Sequence, residues 1–288
     1  AYLPRAFADA NFDYYARRLS GVTEKPERWQ FAVGLVDAHL GDAVAQLYVQ
    51  RHFPEEHKER VDAIVANIRT AFETRMRSLD WMDEETRTAA LDKLRALTGM
   101  IGYPDQWRDF DGYTVEPGKL FENIYASYAF QWRDQQDDLR RPVDRARWPT
   151  HAHVVNAFYN PLANTFVLPA GILKPPFFDP AADAAVNYGG IGAVIGHEMS
   201  HGFDDQGRQF DASGRTFNWW TSETDERFVS KSERLVRQYD SYCPFPDACV
   251  NGLGTLGENI GDLAGLEIAY AAYRHSLGGR EAPVINGL

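Results

Sequence analysis

Long apolar runs are missing from this 288-residue chain. No stretch of 18 or more consecutive apolar residues occurs, so nothing in it reads as a membrane-spanning helix. The first residues, AYLPRAFADA, lack the basic and apolar regions of a secretory leader, although in a piece of a longer protein that absence says nothing about the parent. Asn-x-Ser/Thr acceptor sites are absent, as are G-x-S-x-G and G-x-x-x-x-G-K, so neither a serine-nucleophile elbow nor a phosphate loop is present. Basic residues are outnumbered, 30 against 41 acidic, and the net charge of -11 disfavours nucleic acid or an anionic membrane surface as a partner. No repeat or low-complexity tract stands out. Only two cysteines occur, Cys243 and Cys249, close together in YCPFPDACVNG. They are either two free thiols or a bridge closing a small loop, and a bridge would point to an oxidising compartment.

Histidine is scarce too, with 8 residues, which makes the stretch HEMSH at 197 to 201 informative. Positions i and i+4 share a helix face, so His197 and His201 can both turn a nitrogen to one metal ion while Glu198 stands beside it. Chance gives this pattern in roughly one chain in a hundred of such composition. A zinc hydrolase needs a third protein ligand and an open fourth position. In the metzincin arrangement a histidine six residues after the second, following an intervening glycine, would supply it, but Asp204 and Gly207 stand at those two places and that reading fails. Glu258 in LGENIGDLAG is well placed instead, after a glycine-rich turn and at the start of an apolar run. Asp262, four residues on, shares its helix face and can accept the free N–H of a ligating histidine. Asp205, four beyond His201, can do the same for that ring, and Asp204 at three is the alternative.

These residues and their flanks resemble the neprilysin-like zinc metallopeptidases. Four blocks carry the resemblance in order: VVNAFYNP (154–161), LPAGILKPPFF (168–178), NYGGIGAVIGHEMSHGFDDQGRQF (187–210) and LGENIGDLAG (256–265). Looser likeness extends upstream through LDWMDEETRTAALDKL (79–94) and IGYP (101–104). The resemblance implies that His197, His201 and Glu258 bind one zinc ion, that Glu198 is the general base on the zinc-bound water, and that Asp262 supports a ligating histidine. It also implies that Asn156 and Ala157 hydrogen-bond the backbone of a bound peptide. Ile172, Phe177, Ala193 and Val194 are expected to line an apolar pocket for the side chain after the scissile bond; Ala193 is smaller than the resemblance leads one to expect.

One departure bears on activity. The family places a transition-state-stabilising histidine and a substrate-binding arginine well downstream of the third ligand, and no such motif follows Glu258 here. The chain is therefore expected to be an interior piece of a larger peptidase, lacking segments at both ends and weak or inactive alone. The resemblance implies an extracytoplasmic setting: secreted, periplasmic or a membrane-anchored ectodomain.

Length and composition, 44% hydrophobic and 25% charged, fit a soluble globular protein. Helical spacing of Val61, Ile64, Val65, Ile68, Phe72, Met76 and Leu79 predicts a long amphipathic helix over about 56–79. A second helix should begin near Asp83 and end before Gly99. HVVNAFY and TFVLP, separated by the turn-forming NPLAN, read as a hairpin whose edge can pair with an extended peptide. Gly189, Gly190, Gly192 and Gly196, costly in a helix, suggest close backbone packing against the second zinc helix. The expected fold class is α+β and predominantly helical: a thermolysin-like zinc catalytic region over 149–288, preceded by a mainly helical region over 1–148 that forms a wall over the cleft. The expected function is zinc-dependent hydrolysis of oligopeptides with an apolar residue preferred after the scissile bond. The alternative is a zinc- or peptide-binding module without turnover.

Overall fold

Apolar residues at three- and four-residue spacing wind most of the chain into helices, and one short sheet interrupts them. The structure, a computed structural model, describes residues 4–285. In chain order it contains α1 (Arg5–Asn11), continued by a wider π-helical stretch (Phe12–Leu19), α2 (Arg28–His52), α3 (Glu55–Arg77), α4 (Glu84–Ala96), β1 (Thr98–Gly102), α5 (Leu120–Asp138), β2 (Phe158–Asn160), β3 (Thr165–Pro169), α6 (Ala184–Asn187), α7 (Ala193–Ser200), α8 (Ser222–Asp240) and α9 (Leu256–Ser276). The result is a mostly helical α+β fold. No helix among the described residues is long and apolar enough to cross a membrane.

The chain forms two compact units that do not divide at a single point in the sequence. One comprises the chain through Leu47 with Gln106–Arg147; the other takes Tyr48–Asp105 together with the chain from Trp148 onward. In the first, α2 is broken at Leu40 (φ -132°, ψ 21°). Phe110, Tyr113 and Phe130 cluster there, with the Arg108 guanidinium 5.1 Å from the Phe130 ring centre. The second unit holds the HEMSH segment. Residues 48–105 belong to it because α3 packs on α9 and β1 pairs with β3.

Helix α3 buries Val61, Ile64, Val65, Ile68, Ala71, Phe72 and Met76, one continuous stripe. Glu55 and Glu56 lie in its first turn and Arg75 and Arg77 in its last, each sign opposing the helix dipole end it meets. In the sheet, β3 is central and buried along its whole length, parallel to β1 (Met100 opposite Val167) and antiparallel to β2 (Phe158 opposite Val167). The expected hairpin is present but shorter, since His153–Ala157 stays outside the ladder. Continuing the register would set Asn156 opposite Pro169, which has no N–H to donate. Cys243 and Cys249 are bridged in the loop after α8.

Helices α4 and α8 cap one another. The Asp83 carboxylate accepts Thr86 N at 2.8 Å, the Thr221 hydroxyl, and the Thr224 hydroxyl at 2.5 Å, while Asp83 N donates to Thr224 Oγ1 at 3.1 Å. The Thr221 and Thr224 hydroxyls and Thr86 hold the Asp83 carboxyl far below the usual carboxylate range. Removing the carboxylate uncaps one helix and frees the threonines that start the other. Asp83→Ala is expected to cost about 2 kcal/mol at pH 7 in urea unfolding. A carboxyl depressed in the fold stabilises above its unfolded pKa and loses that contribution as pH falls, so the penalty shrinks below about pH 4. A penalty that does not change with pH would mean that the charge has no part in the capping.

Candidate metal centre

Helix α7 has two distinct faces. Ile191, just before it, with Ile195 and Met199 forms a stripe at four-residue spacing that is fully buried. Ala193, His197 and His201 repeat the same spacing on another side, against α9. The two rings meet with His197 Nε2 2.9 Å from His201 Nε2. Glu258 Oε2, from the first turn of α9, lies 3.3 Å from the first of these nitrogens and 3.8 Å from the second. One ligand atom from each of the three residues falls within 4.8 Å of the others.

The donors fit a divalent cation. His197 Nδ1 donates to Asp262 Oδ1 at 2.9 Å, and His201 Nδ1 donates to Asp204 Oδ2 at 2.7 Å. A carboxylate only accepts, so each Nδ1 carries a proton, and in the neutral ring each Nε2 presents a lone pair. Two lone pairs facing each other at 2.9 Å beside a carboxylate oxygen repel unless positive charge lies among them. Four-coordinate zinc with bonds of about 2 Å sets its ligand atoms about 3.3 Å apart, within the spread observed here. Two nitrogens and one oxygen, with carboxylates behind both imidazoles, form a donor set suited to zinc.

The sequence left open which aspartate supports His201, with Asp205 preferred as the candidate; the structure corrects this to Asp204. His201 is the cap residue at the end of α7 and the chain turns away there, so the four-residue rule of a continuing helix lapses. Asp204 is 4% exposed, and its Oδ1 accepts Gln206 N at 2.9 Å and Gly207 N at 2.7 Å. Asp205 Oδ1 is buried with no hydrogen-bond partner among the described residues, and burial, together with the charge of Asp204, raises its pKa. Burial alone would lower the His201 pKa, but the hydrogen bond and charge of Asp204, with Glu198 and Glu258, raise it instead.

Glu198 is 5% exposed, and its Oε2 is buried without a hydrogen-bond partner among the described residues. Burial pushes its pKa up to about 7; the Glu258 charge adds to the rise and His201 opposes it. A carboxylate this poorly solvated holds a proton far more readily than a surface glutamate.

Close approach of α9 to α7, which the sequence suggested from Gly196, depends also on Gly261 and Gly265 of α9, whose part in it the sequence did not reveal. Gly257, Gly261 and Gly265 recur at four-residue spacing along one side of α9. A Cβ on Gly261 would lie 2.7 Å from His197 Nδ1, and one on Gly265 would lie 2.6 Å from Ala193 O. Gly196 of α7 meets Gly265 directly, where its Cβ would lie 2.9 Å from the Gly265 Cα. Gly261→Ala is therefore expected to displace the His197 ring and weaken zinc binding about 10- to 100-fold by competition titration, at a stability cost of about 1–3 kcal/mol. Unchanged affinity would show that the ring has room to spare.

Asn156 is exposed and Ala157 half-buried, immediately before the edge strand β2. Ala193 and Val194 are half-buried in the first turn of α7, and Phe177 is 37% exposed. Phe177 O accepts Ile191 N at 2.7 Å, which ties its loop to the turn before α7. Ile172 is packed inside at 6% exposure.

Comparison with known proteins adds an independent line. Family models described as peptidase family M13 match residues 1–104 and 156–288. Endothelin-converting enzyme 1 of Homo sapiens is 39% identical over 282 residues, covering 96% of this chain and 36% of that protein. Among solved structures, the Mycobacterium tuberculosis zinc metalloprotease Zmp1 in complex with inhibitor superposes with a TM-score of 0.91 at 46% identity, over 99% of this chain and 44% of that one. PepO from Lactobacillus rhamnosis HN001 gives a TM-score of 0.83 at 31% identity, over 94% and 42%. The chain spans between 36% and 44% of the length of these relatives. Because the matched stretches hold α3, α4 and all the ligand atoms described above, and the relatives align over nearly the whole chain, it belongs to peptidase family M13, the neprilysin-like metallopeptidases.

Proposed function

We propose that this chain carries the metal-holding and proton-transferring part of a zinc endopeptidase acting on oligopeptides. The observation that carries the reading is the convergence of His197 Nε2, His201 Nε2 and Glu258 Oε2 within 4.8 Å, with the buried carboxylate of Glu198 beside them. Membership of the family and likeness to a protein named a zinc metalloprotease support the choice of ion. His197, His201 and Glu258 would hold one zinc, with Asp262 and Asp204 fixing the two rings. Bound there, zinc would supply Lewis acidity, polarising the scissile carbonyl and acidifying the attacking water.

Glu198 does the proton work. Its buried carboxylate, with one oxygen free of any hydrogen-bond partner among the described residues, is placed to take the proton of the attacking water. The protonated carboxyl then returns that proton to the leaving amine, which restores the starting state. An extended substrate can add to β2, the edge strand among the described residues, where Asn156 and Ala157 would meet its backbone. Phe177, Ala193 and Val194, together with Ile172, would favour an apolar side chain after the scissile bond. The Cys243–Cys249 bridge supports an extracytoplasmic setting.

The test is cleavage of a quenched fluorescent peptide with zinc present and then chelated, with Glu198→Gln as the blank. Cleavage that requires both zinc and Glu198 supports the reading. Cleavage that survives complete zinc removal overturns it.

A further inference from the structure

Lys93 of α4 is 1% exposed, although lysine is among the residues least often buried. An ammonium has three N–H donors and no acceptor, and each donor here meets a backbone carbonyl: Gly202 O at 2.7 Å, Gly207 O at 2.8 Å and Phe210 O at 2.6 Å. The rings of Phe203 and Trp219 flank the Nζ at 5.5 and 5.6 Å from their centres. Burial lowers its pKa to about 8, against the opposing pull of Asp204 and Asp211, so the group is still mostly charged at pH 7. The three carbonyls belong to one loop, the one that leaves α7 directly after His201.

That loop carries the aspartate behind the second histidine. Gly207 joins the two groups: its N–H donates to Asp204 Oδ1 at 2.7 Å and its carbonyl accepts from Lys93. The loop is coiled so tightly that a Cβ on Gly207 would lie 1.7 Å from His201 O. Lys93 is itself held from the sheet side, since its carbonyl accepts Asn164 Nδ2 at 3.1 Å and Asn164 Oδ1 accepts the Tyr159 hydroxyl at 2.9 Å. A continuous chain of hydrogen bonds thus runs from the β2–β3 turn through Lys93 and Gly207 to Asp204 and His201.

We propose that Lys93 is a positioning residue of the metal centre: by gathering the 202–210 loop around its ammonium, it keeps Asp204 where that carboxylate orients His201. The inference rests on the zinc reading of the centre. A lysine that only stapled the loop for stability would lower the unfolding midpoint when replaced and leave the affinity of the folded protein for zinc unchanged.

The experiment is a double-mutant cycle on zinc affinity, read by competition with a chromogenic chelator, using the wild-type chain, Lys93→Met, Asp204→Asn and the double variant, with Lys93→Arg as the conservative replacement. Lys93→Met and Asp204→Asn should each weaken zinc about 10- to 100-fold, the usual range for groups behind a ligand. Because Lys93 acts through Asp204, the double variant should be no weaker than Asp204→Asn alone. Lys93→Arg should recover part of the loss. Multiplying losses, or unchanged affinity in a folded Lys93→Met, would overturn the proposal. Should Lys93→Met not fold, the wild-type chain decides: the ¹⁵N resonance of the Lys93 ammonium should shift when zinc is added, and a signal that does not move contradicts the link. If the wild-type chain takes up no zinc, it is the reading of the centre that fails.

Discussion

Replacing Glu198 by glutamine is expected to reduce peptide turnover by about 100- to 10,000-fold, the range typical of removing a general acid–base group. Zinc should stay bound, because Glu198 is not among the three converging ligand residues. The same variant should gain stability where it loses function. A carboxyl whose pKa is raised by the fold binds its proton more tightly there than in the unfolded chain. Its favourable contribution is present below the unfolded value near 4.5 and is lost as pH rises to about 7. Metal-free Glu198→Gln should then be more stable than the metal-free parent by about 2–3 kcal/mol at pH 8 and nearly equal to it at pH 4. Urea unfolding at the two pH values reads the difference. Equal stability at pH 8 would mean that Glu198 is well solvated and not the strained base proposed here.

Truncating a ligand should have the opposite profile. Structural zinc sites with four protein ligands bind with roughly 10–16 kcal/mol, so each ligand contributes about 3 kcal/mol and its loss weakens zinc by at least about 100-fold. His201→Ala and Glu258→Gln should therefore rank above Asp204→Asn and Asp262→Asn, which only remove a partner from an imidazole and should cost about 10- to 100-fold. Glu258 deserves the harder test of the two, since its side chain is 69% exposed and a first-turn acid is common on a helix for dipole reasons alone. Competition titration that finds Glu258→Gln as tight as the parent would remove it from the ligand set.

The parts of this centre that follow helical periodicity were legible in the sequence. His197 and His201 share a face because they are one turn apart, and Asp262 faces the same side as Glu258 for the same reason. Asp204 was harder, because the choice between it and Asp205 turns on where α7 ends, and helix ends are set by the loop that follows. Lys93 was not legible at all. In α4 it stands among charged residues as a surface lysine would, and its partners lie 109 to 117 residues later in the chain. The hairpin of β2 and β3 was visible in composition, but its length was decided by Pro169 on the opposite strand. Gly261 and Gly265 were in plain view at four-residue spacing; their meaning depends on what lies across from them, Ala193 and His197 of α7, which a single helix pattern does not show.

The central claim is a division of labour in which three residues hold the ion and a fourth, adjacent in sequence to one of them, only moves protons. Zinc content and affinity of the wild-type chain, Glu198→Gln and His201→Ala, measured side by side at pH 7, test it most directly. The account predicts one ion per chain with similar affinity in the first two and a loss of at least about 100-fold in the third. A Glu198→Gln chain that loses zinc as His201→Ala does, or a His201→Ala chain that keeps it, would contradict the account.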